Sequence, residues 1–185
     1  MKEATEEFQV AVNAYVFMTN HVHLLLTPGE PRAISSAMHS ASRRYAGYFN
    51  QRYERTGTLW EGRFHASLVT TDHYLFSCHR YIDLNPVRAG IVVDPSIYPW
   101  SSHRFYTMDE GNALVTPHPA ISALGCEGTS LRAAYRALFS SPLEEVELEA
   151  IRKASLSGTA IGARTAPRGR KPGKCVPDTN FLIRT

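Results

Sequence analysis

At 185 residues the chain has the length of one compact domain with a tail, and a second catalytic domain is not expected. Its 43% hydrophobic content and its 17 phenylalanines and tyrosines (Phe 8, Tyr 9) exclude a fibrous or wholly disordered protein. The formal net charge is only +3, but Arg43, Arg44, Arg52, Arg55 and Arg63 gather in the middle, and Arg164, Arg168, Arg170, Lys171 and Lys174 towards the end. This clustering makes nucleic acid a candidate partner before any motif is considered.

In chain order, Phe8 to Met18 is rich in Val, Ala, Tyr and Phe, and Thr19-Asn20 can turn it back into His21 to Thr27, so a β-hairpin is predicted. On its second strand His21, His23 and Leu25 share one face, and Val22, Leu24 and Leu26 the face suited to a core. Pro28 to Pro31 reads as a loop. Ala33 to about Tyr53 carries Ile34, Met38, Tyr45 and Phe49 at helical spacing, with Arg43, Arg44 and Arg52 on its other side. A second extended stretch is predicted from Trp60 through Phe64 to Val69. A helix capped by Thr71 or Asp72 follows, and Asn85-Pro86 ends it. Pro95 to Ser102 reads as a loop.

From about Met108 the composition becomes more polar. A short helix is predicted over Leu131 to Phe139, and another begins at Ser141-Pro142 and runs to about Ser157, with Gly158 as its stop. Residues 163–185 read as a basic, mobile tail rich in Gly and Pro. The expected organisation is a catalytic domain over 8–107, a helical extension over 108–162 and this tail.

Cys78, Cys126 and Cys175 are odd in number and form no C-x-x-C pair, which argues against a disulfide framework or a zinc knuckle and fits a reducing cytoplasm. Met1 to Glu7 is polar, and no 18-residue apolar run is present, so neither export nor a membrane span is expected.

His21 and His23 on one strand face are a ready pair of metal ligands. Tyr81 and Asn85, at i and i+4, place a phenol and an amide on one helix face. Two imidazoles, an amide oxygen and a tyrosine are the parts needed to break a phosphodiester with the help of a metal. Attack by the tyrosine would leave a covalent phosphotyrosine and a free hydroxyl, which conserves the bond for later rejoining without ATP. Ligand chemistry alone admits zinc or manganese at such a site. Each part also has an ordinary reading, a solvated or hydrogen-bonded histidine and a tyrosine packed in the core.

The segments Ala14-Tyr-Val-Phe-Met18-Thr-Asn-His-Val-His-Leu-Leu-Leu26, Arg55-Thr-Gly-Thr-Leu-Trp60-Glu-Gly-Arg-Phe64, Tyr81-Ile-Asp-Leu-Asn-Pro-Val-Arg-Ala-Gly90 and Pro99-Trp-Ser-Ser102, with Tyr45 and Phe49-Asn50 between them, resemble the HUH single-tyrosine transposases. Within these the chain is most similar to the REP-associated tyrosine transposases. The resemblance implies an α+β, ferredoxin-like fold, an antiparallel sheet with helices packed on it. It also implies a single-stranded or hairpin DNA partner, a divalent cation (Mg2+ or Mn2+), and cleavage to a 5′-phosphotyrosine and a 3′ hydroxyl. By motif position Tyr81 matches the nucleophile, and His21, His23 and Asn85 match the metal ligands. Arg43, Arg44, Trp60 and Arg63 are the candidate DNA contacts, by phosphate pairing and base stacking.

Such transposases begin with a strand and a helix ahead of the segment matching Ala14, and that strand helps form the sheet under the histidines. Too few residues precede Ala14 here, so the expectation is a truncated copy or an incorrectly started reading frame, with the first strand missing; a monomer or homodimer is expected. Three readings follow: an active DNA-cleaving and joining enzyme, a catalytically weak remnant that binds single-stranded DNA, and a metal-stabilised domain without enzymatic activity.

Overall fold

A computed structural model of the chain describes residues 1–125, 130–162 and 179–185. The chain opens with a short helix, α1 (Lys2–Glu7), which leads into strand β1 (Val10–Phe17) and its hairpin partner β2 (Val22–Pro28). The predicted turn is present: the Met18 N–H donates to His21 O at 2.9 Å, and the ladder runs antiparallel from Val10↔Pro28 to Phe17↔Val22. The register shifts between Val12 and Ala14, so Asn13 sits at an irregularity that exchanges the two faces of β1. Asn13 is buried, donates through its amide to Thr116 O at 3.1 Å and accepts from Thr27 Oγ1 at 2.7 Å.

Helix α2 (Ala33–Arg52) follows, then strand β3 (His65–Val69), so the second extended stretch is shorter than predicted and Trp60 to Phe64 lie outside it. Helix α3 (Asp72–Asp83) starts at the predicted cap, where the Tyr74 N–H donates to Thr71 Oγ1 at 3.3 Å. It passes through Leu84 into a single turn, α4 (Asn85–Arg88), whose second residue is Pro86. The remaining helices are α5 (His103–Thr107), α6 (Pro119–Ser122), α7 (Leu131–Ala137) and α8 (Glu145–Ser157). Gly158 ends α8 in the left-handed conformation (φ 67°), as predicted, but the helix begins at Glu145, later than the Ser141-Pro142 signal indicates.

The largest departure from the expectations lies at the far end. Asn180–Arg184, read from the sequence as part of a mobile tail, form strand β4, and β4 is an inner strand of the sheet. The fold is α+β with one four-stranded antiparallel sheet in the order β1-β2-β4-β3. The resemblance assigns the strand beside the histidines to residues ahead of Ala14, whereas here the strand beside β2 is β4. The physical reason is the inner edge of β2. Leu24, Leu25 and Leu26 are fully buried, and their backbone groups need a ladder partner that water cannot supply. The rest of the expected tail, residues 163–178, lies outside the described residues.

Both faces of the sheet are covered. Leu24, Leu26 and Ile183 pack with Ile34, Ala37 and Met38 of α2, and Leu25, Leu182 and Val69 pack on the opposite face with α3 and α8. The outer edge of β1 is protected by the Tyr98 to Ser102 segment. Phe17 N–H donates to Trp100 O at 2.8 Å, and Ser102 N–H to Tyr15 O at 2.9 Å. Leu182 is fully buried between Leu25 and Ser67, so Leu182→Ala is expected to cost ~2–5 kcal/mol. A urea midpoint unchanged in that variant would show that β4 does not hold the sheet together.

Candidate active site

The candidate site forms where β2 meets α3. His23 is 1% exposed, and its ring lies 5.0 Å from that of His21 and 5.3 Å from that of Tyr81, edge to face in both cases. His21 belongs to the turn just before β2, not to the strand as predicted, yet the two imidazoles remain neighbours. The structure therefore brings His21, His23 and Tyr81 into one row of rings. Asn85 follows at the start of α4, half-buried, with its amide free of hydrogen bonds among the described residues.

Both histidines are held in the neutral, ligating form. Burial first, and then the neighbouring His21, Arg184 and Arg88, take His23 down to about 3. Burial and then Arg184 lower His21 as well. The Asn20 Oδ1 lies 2.7 Å from His21 Nδ1; an amide oxygen only accepts, so the proton sits on Nδ1 and the lone pair on Nε2. The Nδ1 of His23 is buried without a hydrogen-bond partner. Two neutral imidazoles, one with an orphaned buried nitrogen, fit a divalent cation by donor chemistry. Among the described residues no group of three or more His, Cys, Asp and Glu could hold a metal, so further ligands would be the Asn85 amide, water or substrate oxygens.

Two arginines at the site are not apparent in the sequence. Arg184, on β4, is the cross-strand partner of His23, and Arg88 of α4 lies 4.4 Å over the Tyr81 ring while hydrogen-bonding to the Tyr81 carbonyl. Burial lowers Arg88 to about 10, which leaves it charged at neutral pH. Arg88 could have been found from its i+7 spacing from Tyr81. Arg184 carries no such signal, because only the sheet order brings it to β2.

The candidate DNA contacts lie elsewhere, on and near α2. Arg43 and Arg63 are exposed. Arg43 borders a cavity of about 480 Å³ together with Ser36, His39 and Ser40. Arg44 is engaged within the chain, at 2.5 Å from Glu3 and 3.1 Å from Glu7, an exposed arrangement of little energetic weight. Trp60 is half-buried and donates from Nε1 to Ser42 O at 3.0 Å.

The buried histidines make stability depend on pH. His79, fully buried on α3, is also lowered to about 3, by burial first and by His118 second. Below histidine's ordinary value near 6.5, the unfolded chain binds a proton at His23 and at His79, which the folded chain refuses until about pH 3. Their stabilisation is therefore complete above pH 6.5 and is lost as the pH falls, by about 2 kcal/mol per histidine at pH 5. Thermal melts should shift downward from pH 7 to pH 5; a constant melting temperature would refute this.

The architecture and the site define a class: an α+β domain in which a β-hairpin bearing a histidine pair, one in its turn and one on its second strand, faces a helix bearing a tyrosine. Residues 1–85 match the model of the family described as Transposase IS200 like. The match runs from α1 to the first residue of α4 and takes in His21, His23, Tyr81 and Asn85. It covers 85 of the 185 residues. No curated protein and no solved structure matches the chain. No described helix is long and apolar enough to cross a membrane.

Proposed function

We propose that the chain is an IS200-like transposase of the single-tyrosine, REP-associated kind, which cuts and rejoins hairpin-forming single-stranded DNA in the cytoplasm. The observation that carries this reading is the packing of the Tyr81 ring against His23 at 5.3 Å, inside the segment that matches the family.

In this reading His21, His23 and Asn85 hold a divalent cation, Mg2+ or Mn2+, which supplies charge neutralisation at the scissile phosphate. Arg184 and Arg88 add fixed positive charge to the same place, where the phosphate gains charge on the way to the transition state. Tyr81 passes its hydroxyl proton to solvent water, and its oxygen attacks phosphorus. The bond from phosphorus to the 3′ oxygen breaks, and that oxygen leaves as a hydroxyl after taking up a proton. The downstream fragment stays on Tyr81 through its 5′ phosphate as a phosphodiester, and attack by another 3′ hydroxyl reverses the step and joins a new strand.

A second reading, a protein that binds single-stranded DNA without cutting it, is favoured by the burial of Tyr81. The residue is 6% exposed with Arg88 across its ring, so little of it faces solvent. The deciding experiment mixes the chain with labelled hairpin DNA and Mg2+ or Mn2+, then looks for a protein–DNA adduct that survives denaturant. An adduct supports cleavage, whereas hairpin binding without one supports the second reading.

A further inference from the structure

Helix α2 is a helix of two halves. Every fully buried residue on it, from Ala33 to Ala41, belongs to the first half, whereas the second half runs on to Arg52 with no fully buried residue. That second half is nevertheless aromatic. Tyr45, Tyr48 and Tyr53, at its end and just beyond, are 49%, 62% and 58% exposed. They are not scattered. Tyr45 lies 6.5 Å from Tyr48, 6.1 Å from Phe49 and 5.7 Å from Trp60, and Phe49 lies 4.5 Å from Tyr53. Solvent-facing rings in contact with one another, with no core beneath them, mark an interaction surface.

The loop after α2 folds back along this surface. Asn50 holds it by donating to Gly57 O at 3.0 Å and by accepting from the Arg55 N–H at 2.9 Å. The result sets arginines among the rings: Arg55 lies 5.7 Å over Phe49 and Arg52 lies 5.6 Å over Tyr53. Arg43 and Arg63 are exposed nearby in sequence, against the two acidic residues of the loop, Glu54 and Glu61.

We infer that the second half of α2 and its loop form a stacking platform for unpaired bases of single-stranded DNA, with Arg52 and Arg55 on the phosphates. This inference rests on DNA being the substrate, and it deepens that reading by naming where the strand is gripped. Phenol rings on a wet surface offer each base a face without demanding a sequence, and guanidinium groups beside them supply positive charge for the strand's phosphates. A second copy of the chain is the poorer occupant, because a self-complementary contact would bring the same arginines against one another.

The test uses the full chain and a fluorescent oligodeoxythymidylate of about 12 nucleotides, a length within the ~4–16 nucleotides that such surfaces hold. The double variant Tyr48→Ala/Tyr53→Ala should weaken binding by roughly 10- to 100-fold, and Tyr48→Phe/Tyr53→Phe by less than about twofold. Arg52→Gln/Arg55→Gln should flatten the log–log salt dependence by about 1.4. All these residues are exposed, so the variants are expected to fold. Unchanged affinity in the alanine variant, or no binding by the unaltered chain at low salt, overturns the inference. So does loss of a dimer in sedimentation with DNA affinity intact. The covalent adduct keeps the two readings apart. Affinity that depends on Tyr48 and Tyr53 in a chain that never forms an adduct leaves the platform standing and removes the proposed cleavage.

Discussion

Tyr81→Phe is expected to remove the covalent protein–DNA adduct altogether while leaving hairpin binding within about twofold. The substitution deletes one oxygen and keeps the ring that packs edge-on against His23 and beneath Arg88. Loss of a nucleophile costs on the order of 10⁴- to 10⁶-fold in related covalent mechanisms, which puts the product below detection. His21→Ala should also suppress the adduct, and because His21 is only half-buried its removal leaves the core intact. The two variants should differ in one respect. Raising Mn2+ should restore part of the His21→Ala signal, since a weakened site can be refilled, whereas no cation replaces the missing hydroxyl of Tyr81→Phe. An adduct that persists in Tyr81→Phe would locate the nucleophile elsewhere and end the proposed mechanism.

What the sequence made legible follows its periodicities. The hairpin, the long helix α2 and the Thr71 cap of α3 were readable because their apolar residues repeat at 2 or 3.6 positions and a polar signal marks each end. The His21, His23 and Tyr81 cluster was readable for a different reason, as residues whose types and order resemble those of a family. Strand β4 was not readable. Its apolar run, Phe181-Leu-Ile183, is short, lies behind a basic Gly- and Pro-rich stretch, and acquires its role only from the unpaired edge of β2. Arg184 was hidden with it. Asn13 was hidden too, since a bulge cannot be told from alternation when most of the strand, as here, is buried on both faces. Helix α1 has too few residues for a period to show.

Asp83→Ala is expected to be the most destabilising of these substitutions, at ~3–5 kcal/mol, out of a total near 5–15 kcal/mol for a domain. Asp83 is fully buried on α3, and its Oδ2 accepts from His103 Nδ1 and from the Tyr135 hydroxyl, both at 2.9 Å. Tyr135 also contacts His79 Nδ1 at 3.2 Å and stacks on Tyr106 at 4.5 Å, and Tyr106 donates to Asn13 O at 2.5 Å. Burial, with the Asp83 charge, pushes both phenols above their ordinary range, which keeps them protonated as donors. Removing the carboxylate leaves the donors of His103 and Tyr135 without an acceptor in a site water does not reach, and the loss is that of unpaired buried groups. Asp83→Asn retains an acceptor oxygen and should cost about 1–3 kcal/mol. The network lies beside the candidate site: α3 presents Tyr81 to His23 and Asp83 to His103 and Tyr135, so one helix is held from two sides. Urea unfolding should therefore show the Asp83→Ala midpoint well below that of Tyr81→Phe. Equal midpoints would mean that the aspartate contributes no more to the fold than the hydroxyl of Tyr81 does.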